Sequence, residues 1–239
     1  RRGGAYSSGT YDTQPYILLN YTDTLDDVST LAHEAGHSMH SYFSHKSNTP
    51  QQADYTIFVA EVASTVNELL FAHRKLRESD SREEKLSVLN QLMETYKGTL
   101  FRQTMFAEFE RDMSALSEAG TPLTADLLSE KYFALNARYH GDAVRPDDRI
   151  RWEWARIPHF YYDFYVYKYA TGFSAAVALS KKILAGEIEP YMGFLKAGDS
   201  KDVLDIMKDA GVDFYTGKPV EACMRFFDGT VDRLAEIMK

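Results

Sequence analysis

Cysteine is almost missing from this chain: Cys223 stands alone among 239 residues. A lone thiol cannot build a disulfide framework, so a reducing compartment, the cytoplasm, is expected. Long apolar runs are missing as well. No stretch reaches the roughly 18 residues that a membrane-spanning helix requires, so no membrane partner is expected. Basic clusters are missing too. The formal net charge is −8 with no basic run, which argues against nucleic acid or an anionic membrane as a partner. The opening "RRGGAYSSG" has no apolar signal core and no initiating Met, and it reads as a start inside a larger protein.

What is present is ordinary globular composition, 44% apolar and 26% charged, in a length that suits one large core or two modest domains. Residues 1–14 are rich in Gly, Ser, Thr and Tyr and read as a loop. "PYILLNY" (15–21) reads as a short strand. Thr24 as N-cap, with Asp27 three residues on, opens a helix expected to run to about residue 44. Apolar spacing predicts a second helix over about 56–78. Ser81 with Glu84 has the form of a capping box before a long helix to about residue 119, with Gly98 as a weak point. Further helices are expected over about 125–139 and 158–185, separated by a loop at 140–149, with short helices after them. The expected class is mainly α, with a small β element near the N-terminus.

The chemistry concentrates in "LAHEAGHSMH" (31–40), which holds three of the seven histidines. His33 and His37 are four apart, so on a helix they share one face, one turn apart, and can bind one metal ion. Glu34 lies beside them as a base for a water at that metal. This is the H-E-x-x-H arrangement, two zinc ligands and a general base. Leu31, Ala35, Met39 and Phe43 are expected to supply the helix's apolar contacts. A short motif recurs by accident, so its context matters. Downstream, "FVAEVASTVNELLF" carries Glu61 in an otherwise apolar stretch, where a carboxylate is costly unless something pairs with it. A metal would, which makes Glu61 the candidate third ligand. Glu68, seven residues on, is a candidate acceptor for a ligand histidine's second N–H. His40 is expected to pack or hydrogen-bond beside the site rather than ligate. His45 and His73 read as surface or structural residues.

On these residues the chain resembles the M3 family of thimet-type oligopeptidases, and within it the oligoendopeptidase F group. "GTYDTQPYILLNYTDTLDDVSTLAHEAGHSMHSYFSH" resembles the family's core, "FVAEVASTVNELLF" its third-ligand helix, and "RIPHFYYDFYVYKYATGFSAA" (156–176) its C-terminal His/Tyr segment. The resemblance runs over essentially all of 1–239. It implies a zincin-like, gluzincin-type catalytic domain holding one Zn2+ on His33, His37 and Glu61, with Glu34 as base. It also implies that a histidine and tyrosines stabilise the oxyanion and the substrate backbone. Read as one helix, 159–173 would place His159, Tyr162, Tyr169 and Phe173 near one stripe. His159, Tyr169 and Tyr162 are therefore the candidates, with Tyr165 and Tyr167 as rivals.

The resemblance implies two lobes flanking a channel that admits short, unstructured peptides, with this chain expected to correspond to the C-terminal part, without the N-terminal lobe. The strand region before the zinc helix is expected to pair with an extended peptide, with Gly3, Gly4 and Gly9 permitting close approach. The expected activity is zinc endopeptidase action on short peptides. The alternatives are a metallocarboxypeptidase or dipeptidyl peptidase, for which Arg151, Arg156 or Lys168 would hold the substrate carboxylate, and a metal- and peptide-binding fragment without turnover. Cobalt or manganese could replace zinc on the same ligands.

Overall fold

The computed structural model describes residues 4–239, so Gly3 lies outside the described residues. The chain divides into two compact units: residues 1–94 with 171–239, and residues 95–170.

The first unit begins with strands β1 (Ala5–Ser8) and β2 (Tyr16–Leu19), antiparallel, with Ala5 opposite Leu19 and Ser8 opposite Tyr16. The region expected to be loop thus supplies the partner strand, because β2 has backbone groups to satisfy and "AYSS" is the extended segment within reach. Gly4 has φ +117, and Gly9 sits against Pro15.

Helix α1 (Leu25–Ser47) is launched by a reciprocal capping box: the Thr24 hydroxyl accepts from Asp27 N–H, and the Asp27 carboxylate accepts from Thr24 N–H. Such a cap contributes about 1 kcal/mol. The Thr24 N–H and the Thr22 and Thr24 hydroxyls hold the Asp27 carboxyl down at about 2. The buried face of α1 is not the one its large apolar residues suggest. Leu31 and Met39 are 44% and 38% exposed, while Ser29, Glu34, Gly36, His40 and Ser44 are buried. The reason is the partner helix α2 (Val62–Glu78), which crosses so closely that only a small residue fits. A Cβ on Gly36 would lie 2.5 Å from the Ser64 Cα and 2.6 Å from the Ala63 carbonyl oxygen.

Helix α2 starts six residues later than its spacing predicts. Residues 57–61 are turns, and Glu61 is the N-cap. Its inner face of Val62, Val66, Leu69, Ala72 and Leu76 is buried, each large aliphatic being worth about 1.5–3 kcal/mol on burial. Ala72 and Leu76 pack with Val88 and Leu89 of α3 (Arg82–Thr95) and with Leu234 and Ile237 of α9 (Lys218–Met238). Half of the expected capping box at α3 forms: Glu84 N–H donates to the Ser81 hydroxyl, but the Glu84 carboxylate pairs with Lys75 instead. The rest of this unit is most of α6 (Tyr167–Leu184), then α7 (Glu189–Ala197) and α8 (Val203–Asp209). At the end of α7, Gly198 adopts φ +54 with the Gln52 carbonyl where a Cβ would stand.

The second unit opens with a π-helical turn at Tyr96–Phe101, which contains Gly98 and interrupts the long helix expected over 82–119. Helix α4 (Arg102–Glu118) and α5 (Ala125–His140) follow. Their core gathers Phe106, Phe109, Met113, Tyr132 and Leu135 around Ile157 and Val166.

The expected single helix over 158–185 is not found. Residues Pro158–Tyr161 form a 3-10 turn, and helix begins again only at Tyr167. Between them Asp163 and Phe164 both take left-handed backbone, φ 48 and 51, each costing about 1–2 kcal/mol for a residue with a Cβ. The stripe built on helical offsets therefore does not exist as such. Aromatic richness alone cannot separate a helix from a ring-packed turn. Phe173 is core, 2% exposed.

Candidate metal centre

Helix α1 presents His33 and His37 one turn apart, and the N-cap of α2 brings Glu61 to meet them. His33 Nε2 and His37 Nε2 are 3.1 Å apart. Glu61 Oε2 lies 3.2 Å from the first and 3.4 Å from the second. A tetrahedral ion bound at about 2.0–2.2 Å needs ligand atoms about 3.3–3.6 Å from one another. Three donors at 3.1–3.4 Å nearly meet that requirement. Two neutral imidazoles and one carboxylate, with no thiolate among the three, suit zinc and leave a fourth position open.

The partners of these ligands fix their orientation. The Glu68 carboxylate hydrogen-bonds His33 Nδ1. That bond holds the tautomer in which Nε2 carries the lone pair, and it raises the basicity of the ring. The Ser64 hydroxyl donates to Glu61 at both its carbonyl, 2.9 Å, and its Oε2, 3.3 Å. Asn67 donates to the Ala32 carbonyl at 3.1 Å, tying α2 to α1 beside the motif.

Electrostatics point the same way. Burial alone would lower the His33 pKa, but hydrogen bonds to Glu61 and Glu68 outweigh it and hold the imidazole well above its usual range. Hydrogen bonds from His33 and His37 hold the Glu61 carboxyl far below the usual carboxylate range.

Glu34 is 6% exposed, and among the described residues no hydrogen bond or ion pair engages its carboxylate. His40 points into the protein, stacked on Tyr55 at 3.7 Å and packed against Phe194. Its Nδ1 is buried without a hydrogen-bond partner, and burial, with His37 nearby, lowers its pKa to about 3. His45 leans on Tyr11, and His73 is exposed.

In the second unit, His159, Tyr162, Tyr165 and Tyr169 form one ring cluster despite the broken helix. The His159 ring stacks on Tyr165 at 5.5 Å and meets Tyr162 and Tyr169 edge-on at 5.7 and 6.0 Å. Tyr169 Oη is 3.5 Å from His159 Nε2, a long hydrogen bond. Tyr167, the other rival, is exposed.

Gly36, Ser64 and Asn67 were not anticipated. Gly36 did carry a signal: a glycine inside a helix costs about 1 kcal/mol against alanine, so it needs a reason. The reason is the close crossing of α2.

Residues 1–226 match Peptidase family M3, and the chain belongs to that family. It is 46% identical over its whole length to the oligopeptidase PepF of Bacillus subtilis, of which it covers 36%. It is 42% identical to the plasmid-borne oligoendopeptidase F of Lactococcus lactis subsp. cremoris, of which it covers 40%. The crystal structure of oligoendopeptidase-F from Enterococcus faecium superposes with a TM-score of 0.81 at 46% identity, over 90% of this chain and 39% of that one. The chain thus spans well under half the length of the relatives it matches. Among the described residues no helix is long and apolar enough to cross a membrane.

Proposed function

We propose that this chain carries the catalytic machinery of a zinc-dependent endopeptidase acting on short peptides in the cytoplasm. The observation that carries the reading is the near-tetrahedral spacing of His33 Nε2, His37 Nε2 and Glu61 Oε2. Held by these three, zinc would supply Lewis acidity, polarising the scissile carbonyl and lowering the pKa of water.

Glu34 is the base. Its carboxylate takes the proton of the attacking water and passes one to the departing amine, which general acid–base catalysis rewards by about 10²–10⁴ in rate. Glu68 keeps the His33 ring in the ligating tautomer. His159 and Tyr169, with Tyr162, donate hydrogen bonds to the developing oxyanion. Tyr165, stacked on His159, holds that ring in its plane. The open edges of the β1–β2 pair offer main-chain groups to an extended peptide, which gives affinity with little demand on side chains. Because the chain covers about two-fifths of its relatives, the channel is proposed to be completed by a further lobe.

The exopeptidase alternative is less favoured. Arg151 is paired with Asp148 and Arg156 with Glu153, while Lys168 Nζ lies 5.1 Å from the centre of the Tyr165 ring. The two guanidiniums already have carboxylates.

The test is hydrolysis of an end-blocked, internally quenched peptide by the intact protein, first zinc-loaded, then chelated. Internal cleavage that stops on chelation and returns with zinc is expected. A requirement for a free terminus, or no cleavage with zinc bound, would contradict the reading.

A further inference from the structure

The loop that carries His159 is anchored at both ends and unusual in the middle. Ile157 and Val166 are buried in the same core as Phe109 and Tyr132, and Phe160 packs on Phe106 and Phe109 at 5.3 and 5.2 Å. Between these anchors Tyr161, Tyr162, Asp163 and Phe164 are exposed, and Asp163 and Phe164 are both left-handed. Neither is glycine, and Phe164 is 42% exposed, so its burial does not explain the turn. Two consecutive left-handed residues persist only where the surroundings over-determine them.

A buried carboxylate meets this turn. Glu110 lies on α4 between the core residues Phe109 and Met113 and is itself buried, 9% exposed. Its Oε1 accepts the Phe164 backbone N–H at 2.9 Å. Its Oε2 is buried with no hydrogen-bond partner among the described residues. Burial raises the Glu110 pKa against the pull of that N–H, with Asp163 adding to the rise. A carboxylate so placed is a poor way to stabilise a core, where a methionine of similar shape would serve as well or better. A cleft of about 410 Å³, lined by Glu110, Met113, Trp154, Phe160 and Phe164 among others, lies beside the turn. The turn thus has room to shift if its tether is cut.

We propose that Glu110 is a positioning residue for the reaction: its buried carboxylate fixes the Asp163–Phe164 turn and, through it, the direction in which His159, Tyr162 and Tyr165 are presented. The inference rests on the reading that the His159 cluster acts on the substrate. No other assigned group connects the α4 core to this loop by a backbone hydrogen bond among the described residues.

The experiment is steady-state peptide hydrolysis by the intact protein and by Glu110→Gln, Glu110→Met, His159→Ala and the Glu110→Met/His159→Ala pair. Zinc content and melting temperature are measured alongside. Glu110→Gln keeps an oxygen that can accept the Phe164 N–H and should retain kcat within about threefold. Glu110→Met should lower kcat by about 10–100-fold, the cost of misplacing a group by about an ångström, with KM and zinc content unchanged. In the His159→Ala background the same change should lower kcat by less than about threefold, since both act through one group. A purely structural Glu110 would shift the melting temperature and leave kcat of the folded protein alone. Parental kcat in Glu110→Met, or the same loss in both backgrounds, overturns the proposal while the reading of His159 stands. Parental kcat in His159→Ala overturns both. Should Glu110→Met not fold, Glu110→Asp, whose shorter carboxylate withdraws from Phe164, takes its place with the same expected split.

Discussion

The two chemistry-bearing regions of this chain are built in opposite ways. The His33–His37–Glu61 cluster stands on regular helices locked by a glycine crossing, with Glu68, Ser64 and Asn67 holding its members. The His159 cluster stands on a turn that is neither helix nor strand, with two left-handed residues and Tyr162 exposed. The difference fits the roles proposed for the two clusters. Metal ligands must meet distances within about 0.2 Å, and a helix turn supplies such a spacing directly. Groups that meet a substrate must be accessible, and loops set on a rigid scaffold give that access.

The largest effect is expected at Glu34. Glu34→Gln should lower kcat by about 10²–10⁴ while one zinc per chain remains, checked by metal analysis beside the assay. Loss of metal together with activity would mean Glu34 belongs to the ligand set instead. Next is the loop: His159→Ala should cost about 10²–10³ in kcat, with zinc affinity as in the parent. Glu68→Gln should weaken zinc by about 10–100-fold, with activity recovering at saturating zinc, as a competition titration would show.

Gly36→Ala tests the rigid side alone. A Cβ pressed to 2.5 Å from the Ser64 backbone should destabilise by about 1–3 kcal/mol or more in denaturant unfolding and weaken zinc as α1 and α2 part. The mildest effect concerns acid. His40 is held neutral by burial, with a pKa near 3 folded against about 6.5 unfolded. Its contribution is full above the unfolded value and is lost as pH falls from about 6.5 towards 3, because the unfolded chain takes up the proton first. Over that window His40→Phe should flatten the fall in stability measured by urea unfolding.

The regular side was the legible one. The meeting of His33, His37 and Glu61 is legible in the spacing of the two histidines and in a carboxylate set among apolar residues, and the cap in Thr24 and Asp27. What was not legible depended on neighbours distant in sequence. Leu31 and Met39 look like core until α2 arrives so close that small residues form the contact instead. Residues 5–8 look like loop until β2 offers them a ladder. The tyrosines of 159–169 fit a helical stripe by count. The turn at Asp163 and Phe164 is set by a hydrogen bond from residue 164 to residue 110, which no local pattern announces.

The most direct test of the central claim, that α1 and the start of α2 alone compose the metal site, is the zinc X-ray absorption spectrum of the loaded protein. Wild type and His159→Ala should give the same spectrum, two imidazole nitrogens with oxygen donors at about 2.0–2.2 Å and no sulfur. His37→Ala should show one imidazole fewer. A spectrum unchanged by His37→Ala, or altered by His159→Ala, would contradict the account.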